Sequence, residues 1–382
     1  MFTNRGKISA SVLLSSAFIL NSYQVFVIPD VISSSTVFAN SVNKYGLTRD
    51  QRFGQAVLDV TIEDFNKSGF DYGDSVNVEF SNGKSLKDIP YYSGYNTKTG
   101  EPLLVGYHGE VGPKLAFNNS RSLYDELGIK EGETATVILN KKGKYLETEN
   151  ALRLKYSDRR EDYSSDKQFA NFRALYGGRL KKNLIYRSAS PYDDIHKRAK
   201  YTNELSKNNN INYVINIADL PENVQIFSKK YELGDSYCAS LFKNNRCICL
   251  GMSQNYRSKE YAEKLVEGLL KIINGKGKFL IHCTEGKDRT GFVCLIIEAL
   301  CGATLSELEK DYMKTYENYY GISKEKTPEK YKAVKESRFD DYIDYLKSIC
   351  KSGNLVEAAE IYLMFGGMSK EKVEKLRARI CV

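Results

Sequence analysis

The ten residues "HCTEGKDRTG", His282 to Gly291, decide how this chain is read. A short apolar run, "KFLI", precedes them and a longer one, "FVCLIIEAL", follows. The first has the length of a buried strand and the second that of a buried helix. A tight loop between a strand and a helix aims backbone N–H groups at one point and forms an anion site. Gly286 and Gly291 permit the turn and a close approach. Arg289 supplies a planar fork that holds two oxygens of one phosphate. Cys283 sits at the mouth, where cationic charge and helix N-terminal N–H groups favour a thiolate over a thiol. A thiolate beneath a bound phosphate is placed for in-line attack, giving a phosphocysteine. Thr290 can donate a hydroxyl hydrogen bond to the sulfur and help it leave. His282 is read as orienting the loop through its ring nitrogens, not as a base. Thr284, Glu285, Gly286 and Lys287 complete the cradle as expected substrate contacts.

Around this loop, residues 169–382 alternate strands and helices. "NLIYRS", "INYVINIA" and "KFLIH" are apolar strand runs, and "SKEYAEKLVEGLLKIIN" carries apolar residues at helical spacing. The pattern predicts an α/β unit with a mainly parallel sheet flanked by helices. Arg187 ends the "NLIYR" strand and is a further candidate, as a substrate contact or as a brace for the loop or its carboxylate. Arg173 is a weaker candidate of the same kind.

The loop resembles the HCxxGxxR(S/T) signature of cysteine-dependent phosphatases. Its "GKDRTG" ending is most similar to the bacterial protein-tyrosine and dual-specificity branch, close to secreted tyrosine/lipid phosphatases. "NFRALYGGRLKKNLIYRSASP" (171–191) and "EIYLMFGGMSKEKVEKLR" (360–377) resemble that branch's first and last segments, so the likeness covers about residues 169–380. It implies a tyrosine-phosphatase-like catalytic domain using Cys283 and Arg289. Two departures stand out. Ala174 replaces the Asp that usually follows NFR, and "CLGMSQNYRSKEY" lacks the general acid that ordinary tyrosine phosphatases place there. Asp288 is the first candidate for that role, since "KDRT" is similar to the myotubularin-like lipid phosphatases, whose acid just precedes the loop arginine. It could instead only pair with a base such as Arg187. Asp219 is the second candidate, or else a strand-end cap. Lys287 either contacts an additional phosphate, as in inositide-directed relatives, or only raises the local potential. The resemblance also implies that oxidised Cys283 can pair with a second cysteine. Cys238, Cys247 and Cys249 are the candidates, Cys238 first because "GDSYCAS" reads as loop, or else they are buried thiols with no redox role.

The rest of the 382-residue chain frames this unit. Arg5 and Lys7, the apolar "ISASVLLSSAFIL" and "VFA" ending at Ala39 read as a signal peptide over 1–39, with an uncleaved anchor as the rival. A secreted or envelope-associated location follows. Residues 52–150 read as a small β-rich domain, a barrel or sandwich. "FDYGDSVNVEF" and "IKEGETATVIL" are weakly similar, aligning Gly73 with Gly132, Asp74 with Glu133 and Val78 with Val137, by duplication or by coincidence. His108 is read as a structural loop residue, and the polar stretch 151–168 as a linker. The net charge of +8 favours anionic partners, but no basic helix or aromatic pattern suggests nucleic acid. Cys294 and Cys301 are expected as buried thiols on the helix. Cys247 and Cys249 are expected on opposite strand faces, so no His/Cys cluster supports zinc and no cofactor is expected. The chain thus reads as an exported phosphomonoester hydrolase acting on phosphotyrosine, with an inositide phosphatase or a phosphoryl-binding protein as alternatives. Its oligomeric state is not legible.

Overall fold

The computed structural model describes residues 42–382 apart from 108, so the signal-peptide segment and His108 lie outside the described residues. Seven strands come first: β1 (Val42–Arg49), β2 (Ala56–Leu58), β3 (Ser75–Phe80), β4 (Ser85–Tyr92), β5 (Pro102–Val105), β6 (Lys114–Phe117) and β7 (Thr134–Lys141). They close into a barrel in the order β1-β2-β6-β5-β4-β3-β7. Val76, Val78, Ala135 and Val137 alternate inward, as a half-buried strand requires, and pack on Phe65, Phe70 and Tyr91. The barrel begins at Val42, ten residues before the expected boundary, because β1 supplies the strand that closes it between β2 and β7. The two similar stretches are neighbours: β3 and β7 pair antiparallel with Val78 directly opposite Val137. That register puts a local two-fold axis between the two aligned valines.

The second unit is a five-stranded sheet of β8 (Arg173–Ala174), β9 (Ile185–Ser188), β10 (Ile211–Asn216), β11 (Cys247–Cys249) and β12 (Lys278–His282), ordered β11-β10-β12-β9-β8. Its three parallel pairings join β11, β10, β12 and β9, and β8 joins the edge antiparallel. Helix Asp288–Leu300 is buried on every side, from Thr290 through Leu300, which is why its sequence is apolar all round rather than striped. The next helix, Leu305–Tyr320, starts on a capping box: the Thr304 hydroxyl accepts from the Glu307 N–H at 3.3 Å, and the Glu307 carboxylate accepts from the Thr304 N–H at 2.8 Å. Among the described residues no helix is long and apolar enough to cross a membrane.

Residues 151–168 are not a free linker. Tyr163 and Phe169 are buried against Tyr319, and the Arg198 guanidinium lies over the Tyr156, Phe169 and Tyr319 rings at 4.8, 4.6 and 4.9 Å. The polar composition misled because its aromatics point in, and so does Asp158, which accepts from the buried Arg198 at 2.6 Å. The barrel is also tied to the catalytic unit. Asp341 accepts from the Thr99 N–H at 3.1 Å, from Tyr256 Oη at 2.9 Å and from Arg257 Nη2 at 2.7 Å, and Arg338 donates to the Tyr95 carbonyl at 2.7 Å.

Two cysteine readings are corrected. Cys301 is not a free thiol but forms a disulfide with Cys381, 80 residues on, at the end of the buried helix. Cys247 and Cys249 do not face opposite ways, because residues two apart on a strand share a face, and their sulfurs stand 3.9 Å apart. Cross-linking the loop between Cys301 and Cys381, 80 residues apart, stabilises the fold by about 4 kcal/mol. Cys381→Ser is therefore expected to lower the free energy of unfolding by that amount, and reductant to lower the wild type's but not the variant's.

Candidate active site

The loop after β12 is shaped by what holds its carbonyls. Thr284 O accepts from the Ser190 N–H at 3.0 Å. Glu285 O accepts from Tyr319 Oη at 2.6 Å. Gly286 O accepts from Arg187 Nη2 at 2.8 Å and from Asn171 Nδ2 at 3.0 Å. Each planar peptide that turns its C=O outward turns the next N–H inward. The N–H groups of Glu285, Gly286 and Lys287 are thereby gathered into a nest, and among the described residues none bonds another backbone carbonyl. Gly286 makes this possible: its φ is +66°, and a Cβ there would lie 2.1 Å from the Ser188 carbonyl oxygen. No side chain fits that approach.

Cys283 is buried at the start of the loop, and Arg289 reaches back as far as its neighbour Thr284. Arg289 Nη1 donates to Met252 O at 3.1 Å and Ala218 O at 3.4 Å, and Nη2 donates to Thr284 Oγ1 at 3.3 Å. Its Nε is buried and has no hydrogen-bond partner among the described residues. The Thr290 hydroxyl is likewise buried without one, so its expected bond to the Cys283 sulfur is not formed in this state. His282 is fully buried with Nδ1 3.1 Å from the Cys283 carbonyl. Burial pushes its pKa down to about 3, so it is a neutral orienting group.

Arg187 is not a substrate contact. It is fully buried beneath the loop, where Nη1 donates to Asp311 at 2.5 Å. Arg173 donates to the other Asp311 oxygen at 2.7 Å and to Asn171 Oδ1 at 2.6 Å. Burial would raise the Asp311 carboxyl, but Arg173 and Arg187 outweigh it and hold it below the usual range. This arginine–carboxylate–arginine group, with Asn171, fixes the Gly286 carbonyl from below.

On the rim, Lys287 Nζ pairs with Glu285 at 2.8 Å and stands 3.7 Å from Asp288. Burial would raise the Glu285 carboxyl, but Lys287 and the Tyr156 hydroxyl bring it to about 2. An ionised carboxylate cannot receive a phosphate oxygen, so what Glu285 offers a substrate is its backbone N–H. Asp288 opens the helix on the side of a large cleft. It does not pair with Arg187, which Asp311 occupies. Asp219 follows β10. Burial raises its carboxyl, and the Asn216 amide at 3.1 Å and nearby Arg289 pull it back only in part. Cys238, Cys247 and Cys249 share a core cluster with Tyr192, whereas Cys283 packs in the other main cluster; none of the three is bonded to it.

Sequence reasoning missed Asp311, Asn171, Tyr319 and Tyr156. Asp311 left a trace as a carboxylate on the buried face of "SELEKDYMKTYENYY", and Asn171 opened the quoted "NFR" segment without being given a role.

A strand–loop–helix nest with a cysteine at its mouth and an arginine closing it defines a cysteine-based phosphatase. The family model described as "Tyrosine phosphatase family" matches residues 167–382, more than half of the chain. The chain belongs to that family. Similar solved structures include an uncharacterized conserved protein from Thermotoga maritima, at 21% identity and TM-score 0.22 over 25% of this chain and 35% of that one. Another is the core catalytic domain of the PP-IP phosphatase SIW14 from S. cerevisiae, at 19% identity and TM-score 0.25 over 46% of this chain and 94% of that one. The present chain thus spans about a third of the first of these. No curated protein matches.

Asp311→Asn leaves two buried guanidiniums without their counter-charge. It is expected to cost roughly 3–5 kcal/mol of stability and to lower kcat more than it raises KM, since the loop loses its brace while Arg289 stays. Unfolding curves and steady-state kinetics on p-nitrophenyl phosphate check both.

Proposed function

We propose that this protein is an exported phosphatase that hydrolyses phosphotyrosine through a phosphocysteine on Cys283. The observation that carries the reading is the nest itself: three N–H groups of the loop that bond no backbone carbonyl and an Arg289 Nε with no partner among the described residues, in the loop that Cys283 opens. Such preorganised donors stabilise the charge on a transferring phosphoryl group. The Cys283 thiolate attacks phosphorus, the bond to the leaving oxygen breaks, and that oxygen takes a proton. Water then attacks phosphorus, the S–P bond breaks, and the acid recovers its proton from that water. Thr290, rotated toward the sulfur, assists its departure.

Burial favours Asp219 over Asp288 as the proton donor, because a carboxyl raised above its usual range keeps its proton nearer neutral pH. Lys287 supports the phosphotyrosine reading over the inositide one, because Glu285 offsets the charge a second phosphate would need. Tyr316, Tyr320 and Tyr342 line the adjoining cleft and suit a flat aromatic ring. Export is supported by the N-terminal sequence and by the Cys301–Cys381 disulfide, a bond that persists in oxidising compartments.

Cys283→Ser is expected to abolish phosphate release while retaining affinity for a phosphotyrosyl peptide, measured by calorimetry. Full turnover in that variant would overturn the mechanism, and a wild type that binds without turnover would make the protein a phosphoryl-binding one. Asp219→Asn is expected to slow alkyl phosphates by on the order of 10²-fold or more and activated aryl phosphates far less. The same pattern in Asp288→Asn instead would return the role to Asp288.

A further inference from the structure

We propose that the cleft between the barrel and the catalytic loop is the docking groove for the polypeptide that carries the phosphotyrosine, with the barrel as its far wall. This rests on the phosphotyrosine reading above. The cleft holds about 1680 Å³ and runs from Lys287 and Asp288 on the loop rim to Phe53, Tyr107 and Val111 on the barrel. Sites for single small molecules occupy about 300–1,000 Å³, so this one has room for a segment of chain.

Its far wall is apolar where exposed side chains are usually polar. Phe53, Tyr107 and Val111 are 52%, 50% and 86% exposed, and all three line this one cleft. Clustered exposed apolar groups mark interaction surfaces. The cleft's charges, in contrast, nearly balance: seven lysines and arginines line it against six carboxylates. Lys114 is held by Asp50 at 3.1 Å and Glu110 at 2.7 Å and Lys287 by Glu285 at 2.8 Å, while Arg52 and Lys155 make no ion pair among the described residues. A polyphosphate or an anionic lipid surface needs a clear excess of positive charge beyond the loop, and the cleft as a whole carries little. A peptide needs apolar contacts on one side and a phosphate anchor on the other. The wall is also fixed in place, because Asp341 and Arg338 tie the barrel to the catalytic unit.

The test compares the full chain with Phe53→Ala and Val111→Asp, two exposed positions whose substitution leaves the core intact. Leu305→Ala, exposed at a helix start and outside the cleft, is the control. Substrates are phosphotyrosyl peptides, p-nitrophenyl phosphate, and phosphatidylcholine vesicles containing a phosphoinositide. The ratio of kcat/KM for peptide to that for p-nitrophenyl phosphate is expected to fall about ten-fold in both cleft variants and to stay at the wild-type value in the control. An unchanged ratio in both, or a loss confined to the vesicles, overturns the proposal. A wild type inert on p-nitrophenyl phosphate overturns the phosphatase reading itself, and this proposal with it.

Discussion

The site depends on a single buried contact, the Arg187 guanidinium shared between Asp311 and the Gly286 carbonyl. Fixing that carbonyl downward turns the following N–H into the nest. Because Gly286 sits at positive φ against the Ser188 carbonyl, the loop has no room to adopt another path. Arg187 comes from β9 and the loop follows β12, which pairs with β9 directly, so the parallel sheet brings brace and loop together. Asp311 comes from the following helix and is held at the same point by Arg173 from β8. Four separate stretches of chain thus meet beneath one peptide plane. A buried charge group of this kind costs desolvation and is weak evidence of stability by itself. Its worth here is in geometry, since the donors must be in position before the phosphoryl group arrives.

What the sequence made legible follows from distance along the chain. The strand, loop and helix around Cys283 are contiguous, so residue type and spacing sufficed to place them. The β-rich character of the first unit and its weak internal repeat were also local properties, read from alternation. The barrel's closing strand was not, because the pairing that closes it joins β1 to β7, far along the chain. Arg187 reads as a brace of the loop or as a substrate contact, and nothing in the order of residues says that its head points below the loop and not into it. The Cys301–Cys381 bridge escaped for the same reason: eighty residues separate its ends. The face shared by Cys247 and Cys249 is different in kind. The two-residue period of a strand already required it.

The stretch before the catalytic unit changes the picture of how substrate is met. Asp158 pairs with the buried Arg198, and Tyr156 reaches the Glu285 carboxylate while its ring stacks on Tyr319 at 5.3 Å. The segment that joins the barrel to the enzyme therefore also touches the loop rim. Substrate contacts, loop bracing and inter-unit contacts are parts of one packed surface.

The central claim is a covalent one, that the phosphoryl group passes through Cys283. Rapid acid quench of the wild-type enzyme during turnover of a phosphotyrosyl peptide, followed by mass spectrometry of its own peptides, tests it directly. The account predicts a phosphoryl group on the peptide that carries Cys283, absent in Cys283→Ser. Phosphate release at the full rate with no such adduct, or an adduct on any other residue, would contradict it.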